Sequence, residues 1–397
     1  MRVSTLLLHQ RSLDLMQMQQ QNLLRTQTQL ATQQKLLTAA DDPGDWAAAM
    51  GMDQLLAQAR RYQSNAEAAQ HRLSLEESAL AEAQDVLAHA RELAIQANSS
   101  TQSPQTRAVI AQELQGLRAQ LLAIANRDDG QGRYLFAGAR DAAEPFSWNG
   151  SSASYAGDDA PRLLAIGNAR SIAVGDAGSA VFMGLATGDG QVQVSADVAN
   201  TGATHLQQAQ LRNPAAYDGN AFSLRFVGGS VEIRDAADTL VETRSYEPGS
   251  SLQVNGVELR FAGTPADGDR YHIEPSTQQD MFALLDKLAN IVAGPQQTTG
   301  ERAGAQTAMQ QALSELEAAQ ARLSSIRTGA GLRLGAAQDA AAMLSAQTVE
   351  AESALSKLRD VDVAEAASRL QRELLALQAA QAAHARVQGL SLFDYLR

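Results

Sequence analysis

The chain has 397 residues, enough for two or three domains at ~100–200 residues each. Hydrophobic residues make up 45% but aromatics only 4%, so Ala and Leu supply most apolar side chains, a mixture that favours long helices with shallow seams over a bulky core. Acidic residues outnumber basic ones 44 to 32, for a net charge of -12, which disfavours nucleic-acid binding, and the lack of cysteine excludes disulfides, iron–sulfur clusters, Cys-ligated zinc and thiol catalysis.

The start, from Met1 to His9, has one basic residue and a three-Leu run that stops at once. It is too short for a secretory h-region, and no small-residue cleavage site follows. Nowhere does the chain approach the ~20 apolar residues of a membrane span, so no membrane insertion is expected.

The first arm has a heptad period. Leu6, His9, Leu13, Met16, Gln20, Leu23, Gln27, Leu30, Gln34 and Leu37 follow alternating steps of three and four. Gln occupies much of the stripe, so the seam loses apolar burial. It reads either as one face of a soluble bundle or as a helix that folds only against partners. Asp41-Asp42-Pro43 then breaks the helix: Pro43 pushes Asp42 out of the α region, and Asp42 can cap a new helix with Pro43 in its first turn. That second helix runs to about Asn98, with Leu73, Leu80 and Leu87 spaced by sevens. Ser103 caps a third, striped by Ile110, Leu114, Leu117, Leu121 and Ile124 and ending near Asp128-Asp129-Gly130.

Roughly two-thirds of the 29 glycines fall between Gly130 and Gly268, where usage exceeds the average of ~7%. Alternating runs there predict strands at Gln191–Val194, Phe222–Val227, Val231–Arg234 and Tyr271–Ile273. Asn255-Gly256, flanked by alternating residues, predicts a hairpin. Helical pattern resumes at about Gln278, pauses at Gly294-Pro295 and continues through Ala312, Leu316, Ala319, Leu323 and Ile326. Local propensity predicts a break at Gly329 to Gly335. From Ala336 to Gln388 there is neither Gly nor Pro, and Leu370, Leu374, Leu377, Gln381, His384 and Val387 form a second polar-laced stripe.

No residue set predicts chemistry. The six histidines are scattered and in no metal-ligand spacing. The pairs Asp41-Asp42, Asp128-Asp129 and Asp158-Asp159 sit at predicted turns, where Asp is favoured anyway. Gly329-Ala330-Gly331-Leu332-Arg333-Leu334-Gly335 follows a helix instead of a strand, which excludes a dinucleotide loop. No enzyme activity, cofactor or metal is expected.

Both ends resemble the flagellin superfamily. Met1-Arg2-Val3-Ser4-Thr5 looks like its start, Asp41-Asp42-Pro43 matches a helix break that members share, and Arg133-Tyr134-Leu135-Phe136-Ala137-Gly138 is similar to the element closing its N-terminal helical region. Gly263 to Tyr271 is similar to a G-x-P-x-x-G-D hairpin of flagellar axial proteins. The ending Ser391-Leu392-Phe393-Asp394-Tyr395-Leu396 resembles the hook–filament junction branch more than filament subunits. Thr32-Gln33-Gln34-Lys35 lacks the Ser-Gly-Lys/Arg pattern of many relatives. The resemblance implies one long helix through Gly329–Gly335, against local propensity.

The expected fold is mainly α with an inserted β region, in which long antiparallel helices from both termini form a flagellin-like coiled-coil or bundle core. Residues 1–40 and 358–397 would be terminal coiled-coil helices. Residues 41–185 and 276–357 would form a helical core with β-hairpins, and 186–275 an outer β-rich domain. The resemblance implies a structural adaptor between hook and filament, outside the cell, exported by the flagellar type III route without a cleaved signal peptide. Its implied partners are the hook-side junction protein, flagellin, identical copies in a ring or helical layer, and an export chaperone at the C-terminal helix. The expected assembly seam is Leu13, Met16, Leu23, Leu30, Leu37, Leu370, Leu374, Leu377 and Val387. A filament subunit is the alternative; a coiled-coil signalling protein or an enzyme in the β region fits less well.

Overall fold

The computed structural model describes residues 5–99 and 102–393. Three helices come first: α1 (Thr5–Thr32), α2 (Pro43–Ala97) and α3 (Pro104–Ala125). Short elements follow: hairpin strands β1 (Phe146–Trp148) and β2 (Ala153–Tyr155), strands β3 (Leu163–Gly167) and β4 (Arg170–Ala173), a helical turn α4 (Gly178–Phe182), and β5 (Leu185–Ala186). The main strands are β6 (Val192–Ala196), β7 (His205–Leu211), β8 (Phe222–Val227), β9 (Ser230–Asp235), β10 (Leu240–Ser245), β11 (Ser251–Val254), β12 (Val257–Ala262) and β13 (Arg270–Pro275). After β14 (Gln278–Gln279) the chain returns to helix as α5 (Met281–Ala293), α6 (Thr299–Arg359) and α7 (Val363–Phe393). The fold is mainly α with an inserted β region, flanked by long helices from both termini.

The chain forms two compact units, Met1–Ser64 with Ala340–Arg397, and Asn65–Asp339. The second unit holds two hydrophobic cores. In the helical one, Leu80 and Leu87 of α2 are fully buried together with Leu114 and Leu121 of α3, Leu285 of α5 and Leu316 and Leu323 of α6, and Leu73, a heptad before Leu80, is fully buried as well. A heptad spacing keeps these leucines on one face of each helix. Phe136, Phe146, Phe182 and Phe282 close the core, with ring centroids 5.2 to 5.7 Å apart. Gly138 completes the Arg133–Gly138 element for a steric reason. Its φ is +66°, and a Cβ there would lie 1.9 Å from the Asp158 carbonyl oxygen.

The second core lies between an antiparallel five-stranded sheet, ordered β10-β9-β8-β13-β6, and a three-stranded sheet, β11-β12-β7. Alternation sends Val231 and Ile233 of β9 and Val257, Leu259 and Phe261 of β12 inward. Asn255 and Gly256, at φ 48° and 79°, form the two-residue turn between β11 and β12. Between the helical and β cores sits Glu315 of α6, fully buried. Its carboxylate accepts from the Gly188 N–H at 2.8 Å, from Gln279 Nε2 at 2.8 Å and from Lys287 Nζ at 2.9 and 3.0 Å.

Two helix boundaries differ from local propensity. Helix α6 runs unbroken through Gly329, Gly331 and Gly335, because buried Ala330 and Ala337 pack its inner face, which offsets the ~1 kcal/mol that each glycine costs relative to alanine. The stretch from Ala336 to Gln388, lacking both Gly and Pro, is nevertheless interrupted between Arg359 and Val363. There Asp362 Oδ1 accepts from the N–H groups of Ala364 (2.9 Å) and Glu365 (3.1 Å), which makes it the N-cap of α7.

Candidate assembly surface

The first unit is organised by the turn that ends α1. Gln33 takes a left-handed conformation, φ 61°, which stops the helix at Thr32. The following segment docks on the break between α6 and α7. Lys35 N–H donates to the Arg359 carbonyl at 2.8 Å, Val361 N–H to the Gln33 carbonyl at 3.0 Å, and Gln34 and Asp360 form an antiparallel bridge.

The Asp-Asp-Pro triplet sits at the end of this segment, each residue with a distinct contact. Asp41 Oδ2 accepts from the N–H groups of Leu37 (2.8 Å) and Thr38 (2.7 Å), and Oδ1 pairs with Arg25 at 2.7 Å. The Thr38 bond is the largest cause holding the Asp41 carboxyl below its ordinary range; burial opposes it, and the Leu37 bond and Arg25 add to it. Asp42 Oδ1 accepts from Gly44 and Asp45 N–H, both at 3.0 Å, capping α2, whose first residue is Pro43.

Helices α1 and α7 pair antiparallel. Ser12 Oγ lies 2.8 Å from His384 Nδ1, and the Gln34–Asp360 bridge fixes the other end of the same register. On α1 the covered positions are Ser12, Met16, Gln19, Leu23, Thr26, Gln29 and Leu30. On α7 they are Ala366, Ala367, Leu370, Glu373, Ala376, Leu377, Ala380 and His384. Met16, Leu23, Leu30, Leu370 and Leu377 of the expected seam therefore lie on the mutual face. Leu13 and Leu374 do not: they are 47% and 40% exposed. In each helix the alternate row is displaced by one residue, so that Gln19 and Thr26 replace Gln20 and Gln27, and Glu373 and Ala380 replace Leu374 and Gln381. Leu37 lies beyond the end of α1, half-buried in the connecting segment, where Leu36 is the buried residue. Val387 and Ser391, Leu392 and Phe393 belong to α7, but their side chains lie outside the described set, as do Asp394, Tyr395 and Leu396 altogether.

The paired face leaves large apolar side chains in water. On α1 these are Leu7, Leu13, Leu15, Met18 and Leu24, and on α7 Val363, Leu374 and Leu375. At 100° per residue Leu13 and Leu24 lie on one flank of α1, and Leu7 and Met18 on another. A helix apolar on several sides is one that becomes buried.

The other polar groups picked out by the sequence have local partners. Asp128 and Asp129 accept backbone N–H groups of the turn that follows, from Gly130 to Arg133. Asp158 accepts from Ala139 and Ala160 N–H, and Ser179 Oγ donates to Asp159. His89 sits 3.3 Å from Glu113, and His272 3.5 Å from Asp197. Among the described residues no three His, Asp or Glu side chains converge as a metal site.

Comparison with known proteins shows what this arrangement is similar to. The bacterial flagellin N-terminal helical region matches residues 3–141, and the bacterial flagellin C-terminal helical region matches residues 305–396. The crystal structure of FlgL from Xanthomonas campestris is 33% identical, with a TM-score of 0.72, over 77% of this chain and 99% of that one. The chain belongs to the hook-associated protein 3 (FlgL) family of the flagellin superfamily. Two further relatives lie in the same family. The flagellar junction protein FlgL of Legionella pneumophila is 27% identical, with a TM-score of 0.71, over 79% of this chain and 99% of that one. Flagellar hook-associated protein 3 of Salmonella typhimurium is 31% identical over 182 residues, 46% of this chain and 57% of the relative, so the chain spans little more than half the length of that curated protein.

Within the FlgL family architecture, the two matched regions hold α1 to α3 with the Arg133–Gly138 element, and most of α6 with α7. Residues 142–304 lie outside both matches and contain the whole β core.

Proposed function

We propose that this chain is a structural component of the bacterial flagellum, an adaptor at the junction between hook and filament that assembles with helical symmetry through its terminal helices. The observation that carries this reading is the α1–α7 pair. It joins the two ends of the chain by a thin, polar-laced seam and leaves Leu7, Leu13, Leu15, Met18, Leu24, Leu374 and Leu375 to the outside. Such a surface gains apolar burial only from neighbouring copies or related subunits. A head-to-tail interface of this type generates a helical layer when its rotation does not close. The printed descriptions of the FlgL relatives, a flagellar junction protein and hook-associated proteins, supply the place.

On this reading the neighbours are the hook-side junction protein on one side and flagellin on the other. The chain acts as scaffold, not catalyst. It reaches its extracellular site through the flagellar type III route, and before export α7 is held by an export chaperone, which recognises an amphipathic helix by side chains at the i, i+4 and i+7 spacing that Leu370, Leu374 and Leu377 show. Electron microscopy of flagella carrying an epitope inserted in the exposed 236–238 turn tests the placement. Label confined to the boundary between hook and filament supports it. Label along the filament points to a filament subunit, and its absence from flagella overturns the proposal.

A further inference from the structure

Inside the second unit, one buried carboxylate is used by nothing described so far. Glu76 of α2 is 1% exposed. Its Oε1 accepts the backbone N–H of Asp176 at 2.7 Å, while Oε2 is buried with no hydrogen-bond partner among the described residues. Asp176 lies on the short segment between β4 and α4, and its own carboxylate is bound by Arg333 of α6. Three elements therefore meet at a pair of carboxyl groups.

Among the described residues, Arg333 is the cation paired with these two carboxyl groups, and its partner is Asp176. Arg72, one turn earlier on α2, spends its terminal nitrogens elsewhere, donating to the Tyr134 carbonyl at 2.8 Å and pairing with Asp129 at 3.4 Å and Asp141 at 3.9 Å, while its Nε is buried with no hydrogen-bond partner among the described residues. Arg133 and Arg162 pair with those same two aspartates. From α6, Arg333 is committed to Asp176. Ionised Glu76 would thus place a second negative charge in a buried site where Oε2 has no hydrogen-bond donor among the described residues, an arrangement that close carboxylates avoid when one of them stays protonated.

We infer that Glu76 keeps a proton directed at the Asp176 carboxylate, and that this proton latches the segment from Val174 to Gly178 between α2 and α6. With the proton in place, Oε1 keeps the Asp176 N–H and Oε2–H becomes a donor to the Asp176 carboxylate. Without it, two anions face each other across the segment that leads into Val181 and Phe182, both fully buried in the aromatic core. Burial first, and the Asp176 charge second, raise Glu76 to about 7. The sign follows by linkage: the closed segment binds the proton more tightly than the opened one, so opening releases a proton and is favoured as pH rises. The device is independent of where the chain sits in an assembly.

Hydrogen exchange at the Asp176 amide in the full chain tests it, with intrinsic exchange rates divided out. The opening constant should climb close to tenfold per pH unit between the ordinary carboxyl range and about 7, then level off. Glu76→Gln, which mimics the protonated group, should flatten the profile. Asp176→Asn, which removes the neighbouring charge, should move the rise to lower pH. Profiles for the native chain and Glu76→Gln that run parallel would overturn the latch. Should Glu76→Gln fail to fold, an unshifted profile in Asp176→Asn would overturn it equally.

Discussion

Ser12 Oγ and His384 Nδ1 lie 2.8 Å apart although 372 residues separate them in the chain. The bond joins two helices whose common face alternates apolar with polar layers: Met16, Leu23, Leu30, Leu370 and Leu377 share it with Gln19, Thr26, Gln29 and Glu373. Polar layers fix register at the expense of stability. Glu373 shows the expense directly, since its Oε2 is buried with no hydrogen-bond partner among the described residues. Amides of α1 and α7 in dilute monomer should therefore exchange much faster than those around Leu80 and Leu114, and become protected on assembly. Equal protection of both regions in the monomer would show a self-sufficient coiled coil.

The Asp41 carboxylate gives the first unit an acid-sensitive point. Its folded pKa is depressed, chiefly by the Thr38 bond, so its contribution is present above the unfolded value of ~3.9 and is lost as pH falls through the folded value. Leu37 and Thr38 amides should lose protection in acid, below the ordinary carboxylate range. In Asp41→Ala they should exchange fast at every pH. If both amides kept their protection in that variant, the carboxylate would not be what holds the turn.

Much of this architecture is readable from residue order, and the failures have physical reasons. Leu73, Leu80 and Leu87 announce a buried face because every seventh residue is apolar, even though Glu76 is buried between the first two of them. In the terminal helices the competition is real. Leu374 and Leu375 are both leucines, and only one face can meet α1. The structure turns both outward and puts Glu373 inside, which hydrophobic pattern alone cannot anticipate. The end of α1 was hidden for a different reason: Gln33 adopts a conformation that usually marks glycine. The break before α7 carries its signal in Asp362, an N-cap residue without the accompanying Gly or Pro. The Glu76–Asp176 pair joins positions 100 residues apart and leaves no local trace.

Glu315 and Lys287 allow the join between the two cores of the second unit to be tested. Glu315 is fully buried, whereas the Lys287 side chain is 34% exposed and can turn to water. Removing the lysine strands the buried anion, so Lys287→Met should cost on the order of 3–5 kcal/mol in denaturant unfolding. Glu315→Gln keeps the acceptor for Gly188 and leaves a cation that can resolvate, so it should cost less. A reversed order would mean that the Gly188 and Gln279 bonds, not the ion pair, dominate.

Leu24 and Leu375 separate assembly from folding most cleanly. They are 61% and 69% exposed, on helices whose mutual contacts lie elsewhere. Replacing both with Gln removes little that the monomer buries, and surface changes of this type usually stay within ~0.5 kcal/mol. The unfolding midpoint of the monomer should hold. If their outward faces meet neighbouring subunits, each substitution deletes a buried leucine from the assembly, and flagella should fail to carry filament. Leu73→Ala is the counterpart: it empties a fully buried site and should cost ~2–5 kcal/mol in the monomer itself. Motile cells with normal filaments in the Leu24→Gln, Leu375→Gln double variant would place the assembly contacts on another face. A fall in midpoint as large as that of Leu73→Ala would place those two leucines in the monomer core instead.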